Sequence, residues 1–354
     1  MYKGLELFEA PRVVLFGPGA VDKFGHVLAE LKLGRGIILT GHVHSRAIAD
    51  KVASQCPSCS VVAEDEVDLS SAMANKDRFS EYEFVAGVGG GRVIDKAKAL
   101  AYILGKYFIS IPTVASHDGI ASPYVSHLMQ LELNSANVGK VKKTPIAIIA
   151  DTSIIGDAPR VFLMAGIGEL LGKRVALLDW MLGHRIKGED FSEAAAVLAH
   201  SSYRIIISNL GKLARFRGEE SARVVVKALI GCGMAMAIAG STRPCSGSEH
   251  MFSHALDMLA KEYGLRPAMH GMQVALASVV MLYLHGLNWR RQVARLKMLN
   301  LPTSFRQLGY DRDIVLEALT MAHRVRPDRY TILGAEGLTR EAAERALEET
   351  GVVQ

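Results

Sequence analysis

Cysteine, charge and long apolar runs are all in short supply in this sequence, and each shortage excludes a class of protein. Four cysteines in 354 residues cannot form a disulfide scaffold, so a reducing compartment is the expectation. Cys56-Pro57-Ser58-Cys59 is a single C-x-x-C with no second pair, too little for a structural zinc site. It leads into a predicted strand rather than opening a helix, and both residues are read as surface cysteines. Charged residues make up 22% of the chain against 49% hydrophobic ones, which excludes a disordered chain. The positive excess, 41 Lys+Arg over 36 Asp+Glu, is small and scattered. It suits an anionic metabolite and is too diffuse for nucleic acid. No apolar run reaches the roughly 20 residues that cross a bilayer; the least polar stretches are residues 228–240 and 274–284. Residues 1–6 lack the basic and apolar regions of a signal peptide. No internal repeat or low-complexity segment is present. The expectation is a cytoplasmic protein without membrane insertion.

What is present divides the chain in two. From residue 12 to about residue 151, short runs rich in Val, Ile and Ala alternate with helical patterns. Strands are predicted at 13–16, 36–40, 60–62, 84–87, 107–111 and 145–150, and helices at 21–31, 45–54, 69–75 and 92–104. Apolar runs without alternation, each followed by a helix, indicate buried parallel strands covered on both faces. That is an α/β nucleotide-binding architecture. Beyond Asp151 the strand signals stop. Helices are predicted at 163–184, 193–212, 219–239, 248–263, 271–287, 289–299, 313–325 and 339–349. The expected domains are residues 1–155, α/β, and 156–354, all-α.

The phosphate-binding signal is Gly87-Val88-Gly89-Gly90-Gly91-Arg92-Val93-Ile94-Asp95, between a predicted strand and a predicted helix. Glycines let the backbone approach a pyrophosphate, and the N–H groups of a helix start attract anions. The pattern is not G-x-G-x-x-G, because Arg92 interrupts it, and it follows the fourth strand rather than the first. The second strand ends Ile38-Leu39-Thr40-Gly41-His42, with no acid to bind a ribose 2′-hydroxyl and repel a 2′-phosphate. Use of both NAD and NADP is the expectation.

Among twelve histidines, one group is suggestive. In Cys245-Ser246-Gly247-Ser248-Glu249-His250-Met251-Phe252-Ser253-His254, a helix would put His250 and His254 on one face, with Ser248 near its start. His270 stands beside another predicted helix start, and Glu169 places a carboxylate in an apolar helical stretch where an unpaired charge is costly. One carboxylate with two or three imidazoles suits a catalytic zinc or iron site with an open position. Spacing alone equally allows independent core histidines and a helix-end glutamate.

Three segments together carry a family resemblance: Gly89 to Asp95, Pro112-Thr113-Val114-Ala115-Ser116-His117-Asp118-Gly119-Ile120-Ala121-Ser122-Pro123, and Gly247 to Asp257. In this order they resemble the archaeal-type sn-glycerol-1-phosphate dehydrogenases, within the wider group of iron-containing alcohol dehydrogenases, glycerol dehydrogenases and dehydroquinate synthases. The resemblance implies a Rossmann-like NAD(P)-binding domain, a dehydroquinate synthase-like helical domain and a cleft between them. It implies cofactor contacts at Gly89, Gly90, Gly91, Arg92, Val93, Ile94 and Asp95, and at Thr113, Val114, Ala115, Ser116 and Ser122. Asp118 and His254 fall to substrate, and Glu169, His250 and His270 to the metal, zinc or alternatively iron, with Glu169 also facing substrate. The family's third ligand is usually Asp, and Glu169 is one methylene longer.

The activity implied is NAD(P)H-dependent reduction of dihydroxyacetone phosphate to sn-glycerol 1-phosphate, the backbone of archaeal membrane phospholipids, by a homo-oligomer. Lys140, Lys142, Lys143, Lys173 and Arg174 are candidate partners of the substrate phosphate. The alternatives are a polyol or alcohol dehydrogenase of the same fold, or a dehydroquinate synthase-like lyase.

Overall fold

The apolar runs without alternation become a single parallel sheet in the computed structural model, which describes residues 8–215 and 217–354. Its strands are β1 (Val13–Gly17), β2 (Gly36–Thr40), β3 (Ser60–Ala63), β4 (Phe84–Gly89), β5 (Tyr107–Pro112) and β6 (Ala147–Asp151). The order across the sheet is β1-β6-β5-β4-β2-β3, every pair parallel. Helices α1 (Phe24–Leu31) and α2 (His44–Ala53) bury Phe24, Val27, Ala49 and Val52 against Ile38, Ala86, Ile109 and Ile149 on one face. On the other, α3 (Leu69–Ala74) and α4 (Gly91–Leu104) pack Ala72, Ile94, Ala97 and Leu100 against Ile37, Leu39, Val85 and Phe108. Since α2 connects β2 outward to β3 while α4 connects β4 to β5 in the opposite direction, the winding reverses between β4 and β2. Ligands of such folds bind outside the carboxyl ends of the strands at that reversal.

Two helices in this half were not expected, α5 (His127–Ser135) and α6 (Thr152–Asp157). Helix α5 has no apolar stripe: Leu133 is buried while Leu128 and Leu131 are exposed. Helix α6 is short and held by Asp151, whose carboxylate accepts from the Ser153 and Ile154 N–H groups at 3.1 and 3.4 Å. The fourth strand extends two residues beyond expectation, because Val88 and Gly89 pair with Ile111 and Pro112.

The remaining helices are α7 (Arg160–Lys187), α8 (Glu193–Ser208), α9 (Leu210–Arg215), α10 (Glu219–Ala239), α11 (Ser248–Glu262), α12 (His270–Leu284), α13 (Arg290–Met298), α14 (Arg312–Met321) and α15 (Arg340–Thr350). The chain divides into two compact units, Met1–Leu163 with Arg217–Ile238, and Met164–Phe216 with Ala239–Gln354. The sheet unit thus recruits α10 from within the helical half, where sequence periodicity suggested one boundary after residue 155. The cause is packing: Gly233 lies so close to Ala121 that a Cβ would overlap its carbonyl, and Glu219 accepts a hydrogen bond from Thr152 Oγ1 at 2.6 Å. Helix α10, 21 residues long with an 18-residue window of mean hydropathy 1.8, is long and apolar enough to cross a membrane by composition, but 61% of that window is buried within the fold.

The reading of Cys56 and Cys59 as surface cysteines is corrected. A turn after α2 closes with Cys59 N–H donating to the Cys56 carbonyl at 2.9 Å, the Cα atoms stand 5.4 Å apart, and the two sulfurs are bonded. Cys56 is buried. Scarcity of cysteine therefore does not by itself argue for a reducing compartment here.

Candidate cofactor loop and metal centre

In the sheet unit, Gly90 caps α4 without offering any side chain to the first-turn N–H groups, which leaves them available to an anion. The close quarters explain the glycines. A Cβ on Gly91 would overlap His117 Nε2, and one on Gly90 would come 3.4 Å from Val114. The register Gly89↔Pro112, with Thr113 N–H donating to the Gly89 carbonyl at 3.0 Å, sets the segment from Thr113 beside the glycine loop. Two stretches predicted to touch the cofactor are therefore adjacent. Within them roles differ. Val93, Ile94, Asp95, Ala115 and Ser122 are buried, and Ser122 Oγ is occupied by the Tyr124 N–H and the Met236 sulfur. The Asp95 carboxylate accepts from the Ser126 N–H at 2.8 Å.

Sequence reasoning missed Lys98. It is fully buried, and its Nζ donates to the carbonyls of Gly119 at 3.0 Å and Tyr124 at 2.7 Å. Burial pushes its pKa down, while Asp95 and Asp118 favour the charge. Lys98 thereby pins the turn that carries Asp118, which stays partly accessible. The available signal was a lysine on the apolar face of a helix.

In the helical unit, glycines again decide who meets whom. A Cβ on Gly168 would overlap the Gly271 carbonyl, and one on Gly271 would overlap that of Ala165. This tight crossing of α7 and α12 brings Glu169 and His270, the neighbours of those glycines, together. His250 arrives from the start of α11, which the buried Asp179 anchors by accepting from Ser248 N–H at 2.7 Å and Ser248 Oγ at 2.5 Å. The carboxylate oxygen of Glu169 and the ring nitrogens of His250 and His270 lie within 4.8 Å of one another.

Hydrogen bonds set the tautomers. Glu249, buried and also missed from sequence, takes the His250 Nδ1–H at 2.6 Å, which turns Nε2 toward Glu169 at 3.0 Å. Ser253 donates to Gln273 Oε1 at 2.7 Å and so accepts from His270 Nδ1–H at 3.0 Å, leaving His270 Nε2 to face Glu169 Oε2 at 3.5 Å. Glu169 Oε2 is buried without a hydrogen-bond partner. Two imidazole lone pairs and an orphaned carboxylate oxygen aimed at one point fit a divalent cation.

Burial would raise the Glu169 carboxyl, but Lys173, His250 and His270 hold it well below the usual range. Burial likewise opposes charge on His250, yet Glu169 and Glu249 outweigh it and raise the imidazole to about 9, so a cation held here would take the place of the proton that Nε2 otherwise shares with Glu169. A second set within the same reach is His254, Asp257 and His270. There burial raises the Asp257 carboxyl to about 6, against a hydrogen bond from Gln273, which makes it the poorer cation ligand. His254 is half-buried, its ring stacked on His270 at 5.2 Å.

The candidate phosphate partners separate. Lys173 is fully buried, paired with Glu169 and donating to the Cys245 carbonyl at 2.9 Å. Lys140, Lys142 and Arg174 are exposed, and burial lowers the pKa of the half-buried Lys143.

Residues 15–159 match the family described as iron-containing alcohol dehydrogenase. The fold is shared with a probable glycerol dehydrogenase from Sinorhizobium meliloti, TM-score 0.74 at 20% identity over 98% of both chains. It is shared too with the sulfoacetaldehyde reductase of Bifidobacterium kashiwanohense, TM-score 0.68 at 16% identity, covering 99% of this chain and 100% of the other. The fold class is therefore the one that these two proteins share. Within it, the chain is 67% identical over 353 residues, 100% of both sequences, to the protein named glycerol-1-phosphate dehydrogenase [NAD(P)+] in Caldivirga maquilingensis. It is 43% identical to the protein of that name in Pyrococcus abyssi, over 99% of this chain and 100% of the other. The chain belongs to the glycerol-1-phosphate dehydrogenase family.

Proposed function

We infer that this protein is an NAD(P)-dependent glycerol-1-phosphate dehydrogenase, which reduces dihydroxyacetone phosphate to glycerol 1-phosphate. The observation that carries this is identity along the entire chain to relatives of that name, 67% in one case. In the reaction NAD(P)H gives hydride to C2 of the ketone, and a proton reaches its oxygen.

The residue roles are part of the proposal. The backbone of Gly89, Gly90 and Gly91 and the first turn of α4 receive the cofactor's pyrophosphate, with Thr113, Val114 and Ser116 beside it. Glu169, His250 and His270 hold the metal, which when bound supplies a Lewis acid for the carbonyl oxygen. Glu249 and Ser253 keep the two imidazoles in the ligating tautomer. Lys173 balances the charge of Glu169. His254, one turn beyond His250, holds a substrate hydroxyl or relays a proton, and Asp118 orients substrate from the turn that Lys98 pins. A supply of NAD(P)H and a phosphorylated ketone suits a cytoplasmic enzyme.

The test is NADH and NADPH oxidation with dihydroxyacetone phosphate, followed by chiral analysis of the product. The expected product is sn-glycerol 1-phosphate. Activity on glycerol or butanol without a need for the phosphate would favour the other dehydrogenases of the fold instead. Turnover with no net change in NADH would favour the lyase.

A further inference from the structure

We propose that Glu64 and Arg92 form an ion-pair gate at the end of β2 that decides between a nicotinamide cofactor with a 2′-hydroxyl and one with a 2′-phosphate. The inference rests on the dehydrogenase function proposed above.

Thr40, the last residue of β2, pairs with Val88 of β4 on one side and Ala63 of β3 on the other. Beyond Val88 the chain runs through the glycine loop to Arg92, and the residue after Ala63 is Glu64. The two side chains pair across the end of β2. This point borders the winding reversal between β4 and β2, next to the strand that carries the phosphate loop. The adenosine ribose of a dinucleotide occupies that position in parallel nucleotide-binding folds.

The tip of β2 has no acid, which by itself predicts indifference to the 2′-substituent. The structure supplies a carboxylate from the next strand. Glu64 is buried, whereas the Arg92 side chain is 79% exposed, so the anion is fixed and the cation can swing. Lys96 adds a second positive charge, its Nζ 4.0 Å from Glu64 Oε2. Asp65 is engaged elsewhere, by His42 at 2.6 Å. Facing a ribose 2′-hydroxyl, Glu64 accepts its hydrogen bond. Facing a 2′-phosphate, Arg92 leaves Glu64 and, with Lys96, pairs with the dianion.

The experiment measures the ratio of kcat/KM for NADPH to that for NADH in the wild type, Arg92→Gln and Glu64→Gln. It also measures the inhibition constants of adenosine 2′,5′-bisphosphate and 5′-AMP. Arg92→Gln should lower the ratio about 10- to 100-fold, the worth of one hydrogen bond to a charged group. Glu64→Gln should raise it, by releasing the arginine and removing the repulsion. The bisphosphate's affinity relative to 5′-AMP should move with the ratio in both variants. A structural role would shift both cofactors together, so ratios unmoved, or moved in the same direction by both variants, overturn the proposal. A wild type that oxidises neither nucleotide overturns the dehydrogenase function, and this inference falls with it. A wild type that uses both while the variants leave the ratio unchanged overturns the gate alone.

Discussion

In the sheet unit the candidate site is mostly backbone: three glycines, a helix start without a side-chain cap, and a turn pinned through its carbonyls by Lys98. In the helical unit it is mostly charge: Glu169, Lys173, His250 and Glu249, each buried and each touching another member of the group. The first arrangement leaves room and exposes N–H groups, so added atoms collide. The second gathers polar groups that would be costly one at a time, so a missing partner leaves another unpaired. Substitutions should therefore fail differently in the two units, by gain of volume in one and by loss of a group in the other.

The largest effect is expected in the helical unit. His250→Ala and His270→Ala should each lose bound metal and lower turnover by about 10³ or more, because Lewis acid and substrate anchor go together. Elemental analysis checks this, and full metal content in either variant removes that residue from the ligand set.

His254→Ala sharpens the contrast within the same cluster. In the proposed roles Glu169, His250 and His270 already supply three ligands, and a fourth would close the position proposed for the carbonyl oxygen. The variant should keep its metal and lose activity about 10²–10⁴-fold, the usual worth of a positioned acid–base or orienting group. Metal stoichiometry and kcat/KM for dihydroxyacetone phosphate, measured on this one protein, decide between ligand, substrate-side residue and bystander.

In the sheet unit the change to make is an addition. Gly91→Ala drives a methyl into His117 Nε2 and should weaken cofactor binding on the order of 10²-fold, as small misplacements do. If volume is the cause, removing the obstructing ring should rescue it. Gly91→Ala combined with His117→Ala should regain most of the affinity, measured by nucleotide titration, and no rescue would point to the helix start itself.

The smallest effect concerns pH and stability. Burial raises the Asp257 carboxyl from 3.8 to about 6, so folding favours its protonated form. Its contribution is complete below pH 3.8 and lost as pH rises through 6. Asp257→Asn removes that loss. The variant should gain stability over wild type on the order of 2 kcal/mol near pH 8, and none near pH 3. Thermal melts at the two pH values check the sign, and an equal shift at both would place the effect in packing.

Much of this was legible in the residues. Runs such as Gly36-Ile37-Ile38-Leu39-Thr40 exclude an exposed or alternating strand, and all six strands fall where such runs occur. Glycines before Arg92 and histidines four apart after Ser248 are local patterns, and local patterns report local structure. The weakly patterned α5 was not legible, because a helix with one buried leucine leaves no period to read. Nor was the bond between Cys56 and Cys59, which depends on a turn.

The sequence by itself determined the fold class, the glycine loop and the two histidines on α11, because each is written in the period and chemistry of contiguous residues. Only the tertiary structure decided that Gly168 and Gly271 let two helices touch, so that Glu169 meets His270, and that α11 brings His250 to Glu169 across 81 positions. It also decided that α10 belongs with the sheet, and that Glu64 supplies an acid beside a strand whose own tip has none. Those pairings follow from strand order and helix crossing, which are set by how buried faces share one core and leave no period in the chain.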